Sequence, residues 1–140
     1  MPKKIITLST IFLTIIIILS LVFLIKPNSK HFKIEVITDK VEYNTNENIH
    51  IQVKLKNNSM GCYKATFLNE KINLVITKED HEVALTLLAV EELLLPFEVT
   101  TKKLDTSISE PGVYQVIALA NFTIKGERII VEESMKIKIL

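Results

Sequence analysis

The chain begins with an apolar stretch that has no polar face. Of residues 5–25, sixteen are Ile, Leu, Val or Phe, the other five are Thr or Ser, and none is charged. A helix over this stretch is about 31 Å long, close to the ~30 Å hydrocarbon core of a bilayer. Because each large apolar residue favours insertion by roughly 0.3–0.6 kcal/mol, the pattern predicts a transmembrane anchor over 5–25, after a short cytoplasmic head at 1–4.

A cleaved signal peptide is the alternative for this stretch. Such a peptide has an apolar segment of only about 7–15 residues and ends at a small-residue site such as A-x-A. The stretch here contains no Ala and runs on to Ile25, Lys26 and Pro27. The sequence favours an uncleaved anchor, with secretion after cleavage as the other possibility. Lys3 and Lys4 favour a cytoplasmic amino terminus, so we expect a single-pass protein of the cell membrane whose C-terminal domain is extracytoplasmic.

After a polar linker at 26–30, the pattern changes to a period of two. Apolar residues occupy the odd positions of 49–56 and polar residues the even ones, which is typical of an antiparallel strand with one buried face. The segments 32–36 and 135–140 show the same alternation. Further strands are predicted for 63–67, 72–77, 97–104, 113–122 and 128–131.

Turn-forming residues separate these strands. Asn-, Gly- and Pro-rich segments lie at 44–48, 57–61 and 109–112, and Gly126 is expected to supply the positive φ of a tight hairpin over 124–127. The spacing predicts an all-β domain over 31–140, an antiparallel β-sandwich of about 7–8 strands. Residues 82–95 are compatible with a helix or with strands; we favour strands, because a helix there would carry leucines nearly all round.

Charge and cysteine content narrow the classes of function. Two of the 17 Lys and Arg precede the apolar stretch, so residues 26–140 carry 15 basic against 16 acidic side chains. No basic patch for nucleic acid is evident. The only cysteine, Cys62, cannot form an internal disulfide; it is either a small, partly buried residue or a thiol that crosslinks to a partner.

No pattern in the sequence indicates catalysis. Hydrolase, metalloprotease, P-loop and dinucleotide fingerprints do not occur, and the three histidines, His31, His50 and His81, lie on separate segments without metal-ligand spacing. We therefore predict neither an enzyme nor a cofactor or metal site.

A resemblance enters with "EPGVYQV", residues 110–116. The motif is similar to the G-x-Y-x-V entry to strand F of immunoglobulin-like and fibronectin-like sandwiches. In those folds a corner tyrosine donates its hydroxyl to the backbone a few residues upstream. The resemblance implies that Gly112 and Tyr114 are structural and that the partner of Tyr114 lies in residues 107–110.

A second resemblance covers "TDKVEYNTNENIHIQVKLKN", residues 38–57. It resembles the T-D-K-P-x-Y-x-P-G-E opening of macroglobulin-type (MG2-like) and related bacterial immunoglobulin-like modules. Five residues match that opening: Thr38, Asp39, Lys40, Tyr43 and Glu47. The resemblance implies an immunoglobulin-like sandwich in which Tyr43 is structural.

These features favour a membrane-anchored module that binds a protein or a cell-surface partner through loops or an exposed sheet edge. One alternative is a protease-inhibitor-like or protective protein of the cell surface, for which "NNSMGCY" (57–63) is the loop we would nominate. Another is a structural subunit of a membrane complex, in which the anchor itself is required.

Overall fold

The computed structural model describes residues 9–78 and 88–140, together with the backbone of residues 2–8. A helix, α1, is followed by a 3₁₀ turn at Ser29–His31, and the described residues then form nine strands, so the prediction of an all-β domain is confirmed. The elements are α1 (Pro2–Leu24), β1 (Phe32–Thr38), β2 (Glu42–Tyr43), β3 (Asn48–Asn57), β4 (Tyr63–Leu68), β5 (Asn73–Lys78), β6 (Ala89–Leu94), β7 (Val99–Ser107), β8 (Gly112–Ile124) and β9 (Glu127–Ile139).

The strands form two facing sheets. The smaller sheet has the order β1-β3-β7 and is antiparallel throughout. The larger sheet has the order β2-β9-β8-β4-β6, and β5 pairs with the half of β8 that β4 leaves free. Only the two-residue β2 runs parallel to its neighbour, β9. The central strand is β8, as the apolar character of both its faces predicts.

Two predicted strand boundaries are wrong. The segments 128–131 and 135–140 belong to one strand, β9, because Glu132, Glu133 and Ser134 stay in register with β8 across the polar interval. The strand predicted for 97–104 begins at Val99 instead. Phe97 lies in a preceding turn at φ 55°, closed by the Glu98 amide donating to the Leu95 carbonyl at 3.2 Å. Of the segment 82–95, residues 82–87 lie outside the described residues, and Ala89–Leu94 form β6.

The core is built around an aromatic cluster. The Phe122 ring on β8 is 5.0 Å from that of Phe32 on β1, nearly edge-on, and 4.9 Å from that of Phe67 on β4. Along β8, alternate side chains from Tyr114 to Ile124 are buried, whereas those between them are half-buried. The alternation places one face of β8 against the smaller sheet, where burial of apolar surface stabilises the sandwich.

Because neighbouring strands end opposite each other, the loops lie at two ends of the sandwich. Phe32 lies opposite Asn57, Lys56 opposite Val99, and Tyr63 opposite Leu94. We call the end that contains residues 25–31, 58–62, 95–98 and 125–126 the proximal end, because α1 joins it. The distal end contains residues 39–47 and 108–111.

The proximal end caps α1. The Cys62 amide is 3.5 Å from the Val22 carbonyl, and Lys125 Nζ donates to the Phe23 carbonyl at 2.9 Å. Both carbonyls belong to the last turn of the helix, where C=O groups have no hydrogen-bond donors within the helix. The positive charge of Lys125 also interacts favourably with the negative end of the helix dipole. Ile25 packs against the core. Among the residues whose side chains the structure describes, which in α1 are 9–24, no helix is long and apolar enough to cross a membrane.

Candidate binding surface

The residues of the 38–57 motif join in one network at the distal end. The Tyr43 hydroxyl donates to Asp39 Oδ1 at 2.7 Å and accepts the Lys40 amide at 3.0 Å. Burial, and then the hydrogen bond to Asp39, raise the pKa of Tyr43. The Lys40 ammonium pairs with Glu47, whose other oxygen accepts the Asn44 amide at 2.8 Å. The network closes the loop between β1 and β3, so these side chains support the distal end.

The tyrosine and glycines singled out in the sequence also lie at turns. Tyr114, only 8% exposed, donates its hydroxyl to the Glu110 carbonyl at 3.1 Å, inside the 107–110 region expected for its partner. Gly112 is the first residue of β8. Lys125 and Gly126, at φ 50° and 82°, form the two-residue turn between β8 and β9, and two positive φ values characterise a type I′ hairpin.

Cys62 is buried at the proximal end. It is 8% exposed, and burial, followed by the charge of Glu98, raises the pKa of its thiol. A buried thiol that holds its proton is a poor nucleophile, so the geometry favours the interpretation of Cys62 as a small core residue. In the same loop, Ser59 and Gly61 are also buried, whereas Met60 is exposed. The segment proposed as an inhibitory loop is thus folded into the domain, and that function stays a prediction.

Asn57 organises this loop, a role that the sequence reading missed. Its amide nitrogen donates to the carbonyls of Gly61 (3.1 Å) and Leu95 (2.8 Å). Its amide oxygen accepts both the backbone N–H (3.1 Å) and the hydroxyl (2.8 Å) of Ser59. The Asn-x-Ser spacing is the available signal, because Asn side chains commonly bond to the backbone two residues on.

The free edge of the smaller sheet at β7 is an extended surface open to a partner. All nine residues of β7 pair with β3, from Val99 opposite Lys56 to Ser107 opposite Asn48. Among the residues that the structure describes, no strand pairs with the other edge of β7. Its backbone donors and acceptors on that side are therefore available to an added strand.

The side chains of β7 are mostly polar and alternate between exposed and half-buried. Thr101 and Lys103 are exposed on the outer face, and Lys102 reaches inward to the Ile72 carbonyl at 3.1 Å. Lysines on an edge strand discourage indiscriminate pairing between identical sheets. The composition therefore favours a selective partner over self-association.

A charged cleft of about 450 Å³ runs beside this edge, between β7 and the larger sheet. Lys71, 16% exposed, pairs with Glu98 at 2.7 Å and Glu92 at 3.1 Å, and Lys102 pairs with Glu70 at 2.9 Å. Burial disfavours the charges of Lys71 and Glu98. Their mutual hydrogen bond and charges, together with the bonds of Lys71 to Glu92 and of Glu98 to the Leu95 amide, outweigh this effect of burial, so the pKa of Lys71 is raised and that of Glu98 is lowered. The cleft presents fixed charges of both signs to a chain lying along β7.

A second groove lies on the outer face of the smaller sheet. His50 Nδ1 is 2.6 Å from Asp105 Oδ1, with Gln52 and Lys103 beside them in a cavity of about 450 Å³. The hydrogen bond to Asp105 raises the pKa of His50. Both side chains are well exposed, so the pair is solvated and adds polar contacts next to the β7 edge.

The described residues contain no group of three or more His, Cys, Asp or Glu side chains placed to hold a metal ion. His31 and His50 lie at the proximal end and on the outer face of the smaller sheet, respectively, and His81 lies outside the described residues.

Comparison with known proteins yields likeness of fold at low identity. No family model matches the chain. The curated proteins likewise contain no match. Among solved structures, the sporulation control protein Spo0M from Bacillus subtilis is 16% identical, over 78% of this chain and 49% of its own, with a TM-score of 0.43.

Two further solved structures are similar to a comparable degree. A superoxide reductase (neelaredoxin) from Ignicoccus hospitalis is 12% identical over 82% of this chain and 88% of its own, with a TM-score of 0.45. The alkylpurine DNA glycosylase AlkC from Pseudomonas fluorescens is 15% identical over 78% of this chain and 30% of its own, with a TM-score of 0.43. The chain spans about half the length of Spo0M and less of the glycosylase. At these scores the likenesses assign neither a family nor a function.

Proposed function

We propose that the chain is a single-pass membrane protein whose immunoglobulin-like sandwich, displayed outside the cytoplasm, binds a protein partner by strand addition at the free edge of β7. The observation that carries the proposal is the nine-residue edge of β7, which has no strand partner among the described residues. In strand addition, backbone hydrogen bonds supply affinity and the flanking side chains supply specificity.

The anchor part of the proposal is supported by the character of α1. The helix has 23 residues, about 34 Å at 1.5 Å per residue. Its large apolar side chains are exposed on every face of the described portion, as the consecutive run from Ile15 to Leu19 shows. A helix that is apolar all round belongs in a large core or in a membrane, and the sandwich contacts only its last turns.

The immunoglobulin-like part of the proposal is supported by the tyrosine corner. Tyr114 stands near the start of the central strand and bonds to a backbone carbonyl four residues upstream, the arrangement that recurs in such sandwiches. The two facing sheets and the hairpin β8–β9 agree with it.

A matched pair of proline variants tests the binding edge. Successive residues of an antiparallel strand point their N–H groups to opposite sides, so one of Thr100 and Thr101 directs its N–H to β3 and the other to the free edge. Proline on the β3 side removes a ladder hydrogen bond and destabilises the domain, whereas proline on the free side is tolerated there. The variant that stays folded, judged by its circular dichroism, is the one that must lose the partner.

The partner is detected by photo-crosslinking in intact cells. A photoreactive residue at the exposed Lys103 on β7 is expected to give a discrete crosslinked product, and one at the exposed Glu133 on β9 serves as the control. Proline on the free side is expected to abolish the Lys103 product. Crosslinking that persists in this folded variant, or that is equal from both strands, would contradict binding at the β7 edge. Exchange of residues 5–25 for an unrelated apolar helix tests the alternative, a structural subunit of a membrane complex. That alternative requires the anchor itself, so it predicts that the exchange abolishes the function of the protein.

A further inference from the structure

Three apolar side chains are exposed together at the proximal end. Met60 is 61% exposed, Phe97 is 63% exposed, and Leu95, two residues before Phe97, is half exposed. We call Met60, Leu95 and Phe97 the apolar rim. A group of exposed apolar side chains on one part of a surface is typical of an interaction site.

The loop and the turn that carry the rim are bonded to each other. The Phe97 amide donates to the Ser59 carbonyl at 3.1 Å, and Asn57 Nδ2 bridges the Gly61 and Leu95 carbonyls. The loop that carries Met60 and the turn that carries Leu95 and Phe97 are therefore held together, although more than thirty positions separate them in the sequence.

The backbone of Phe97 is strained for an aromatic residue. Its φ of 55° lies in the left-handed region, where a bulky side chain is unusual and glycine or asparagine is cheaper. The ring is 63% exposed, so the folded domain gives it little packing in return for the strain. Such a residue marks a contact made with something outside the domain.

The position of the rim along α1 identifies that surface. Met60 lines an apolar cavity of about 380 Å³ together with Ile18, Leu21 and Leu24 of the helix. Leu21 and Ile18 precede the helix end at Leu24 by roughly 4.5 and 9 Å along the axis, at 1.5 Å per residue. Met60 thus lies level with the last two turns of α1. When residues 5–25 span the hydrocarbon core, this depth is the outer part of that core, directly below the headgroups.

The charges around the rim fit the same position. Lys26 and Lys30 are exposed in the linker, and Lys125 is exposed in the neighbouring hairpin, where it bonds to the helix end. Lysines at the ends of membrane helices extend their ammonium groups to the headgroups, and anionic lipids attract them.

We propose that the apolar rim inserts into the interface of the bilayer that α1 crosses, so that the sandwich rests on the membrane through Met60, Leu95 and Phe97. The proposal depends on the membrane anchor put forward above. It goes further, because an anchor by itself leaves the domain free to stand away from the surface.

The absence of tryptophan from the chain allows a direct test. Single-tryptophan variants of the full chain are reconstituted into phosphatidylcholine–phosphatidylglycerol vesicles that contain lipids brominated near the headgroup or deep in the acyl chains. The Phe97→Trp and Met60→Trp variants report the rim, and Ile17→Trp reports α1. The control is Val41→Trp, because Val41 is 62% exposed but lies at the distal end. Circular dichroism checks that each variant is folded.

For the two rim variants, we expect the headgroup-proximal bromines to quench the emission more strongly than the deep bromines do, because tryptophan at a membrane interface lies at the level of the headgroups. The Val41→Trp variant is expected to stay unquenched. If Ile17→Trp is quenched by the deep bromines while the folded rim variants behave like Val41→Trp, the rim proposal is wrong and the anchor stands. If Ile17→Trp is quenched by neither lipid, the anchor is wrong and the rim proposal falls with it.

Discussion

Replacement of Asn57 by alanine tests whether this side chain holds the proximal end together. Asn57 is 2% exposed and forms four hydrogen bonds, two through its nitrogen and two through its oxygen. At about 0.5–1.5 kcal/mol of net stability for each bond, the four contribute about 2–6 kcal/mol. The Leu95 carbonyl still accepts the Glu98 amide, whereas the Gly61 carbonyl, bonded to Asn57 in a buried pair, loses this donor. We therefore expect a loss of about 3 kcal/mol.

The measurement is thermal unfolding of the full chain in detergent, followed by the β-sheet signal in circular dichroism. For a domain of this size, 3 kcal/mol lowers Tm by about 12 °C. The neighbouring Asn58 is exposed, so Asn58→Ala is a control matched in chemistry and position, with a shift expected within about 2 °C. A Tm for Asn57→Ala equal to that of Asn58→Ala would refute the reasoning.

An isosteric variant separates the two donated bonds from the two accepted ones. Asn57→Asp keeps an oxygen for Ser59 but turns a second oxygen toward the Gly61 and Leu95 carbonyls. We expect a loss at neutral pH at least as large as that of Asn57→Ala. Because the repulsion and burial raise the pKa of the new carboxyl in the folded state, stability relative to the wild type should recover as the pH falls through that pKa. A difference from the wild type that does not change with pH would contradict the assigned donor pattern.

Three further outcomes follow from the turns and the outer groove. Tyr114→Phe removes the bond to Glu110 and should cost about 1 kcal/mol in thermal unfolding while leaving crosslinking through β7 unchanged. Gly126→Ala, at φ 82° with open space around the added Cβ, should cost about 1 kcal/mol from backbone strain alone, and Gly126→Asn less. His50 should titrate in NMR at a higher pKa than in Asp105→Asn. Because the pKa of His50 is raised in the folded state, the His50–Asp105 pair stabilises the domain below the ordinary histidine pKa. This stabilisation is lost as the pH rises through the folded pKa of His50.

The strand positions were predictable because the local alternation of apolar and polar residues agrees with which side chains are buried in the folded domain. In β3 the apolar residues of an alternating segment are the buried ones, and in the hairpin after Ile124 the glycine has the positive φ that the turn requires. The strand at 97–104 was misplaced because an aromatic residue normally favours a strand, and nothing local indicates that Phe97 adopts a left-handed turn conformation. The roles of Asn57 and of the β7 edge depend on pairing between distant segments, which no local pattern encodes.

The two proposals together constrain the partner. The strands run between the two ends of the sandwich, so β7 leads from Val99 beside the apolar rim to Ser107 beside the distal end. At about 3.3 Å per residue, its nine residues extend roughly 30 Å. If the rim lies on the bilayer, the whole free edge is within about that distance of the membrane surface. A partner strand that pairs along it must reach the same layer, which favours a protein anchored in the same membrane over one that arrives from solution.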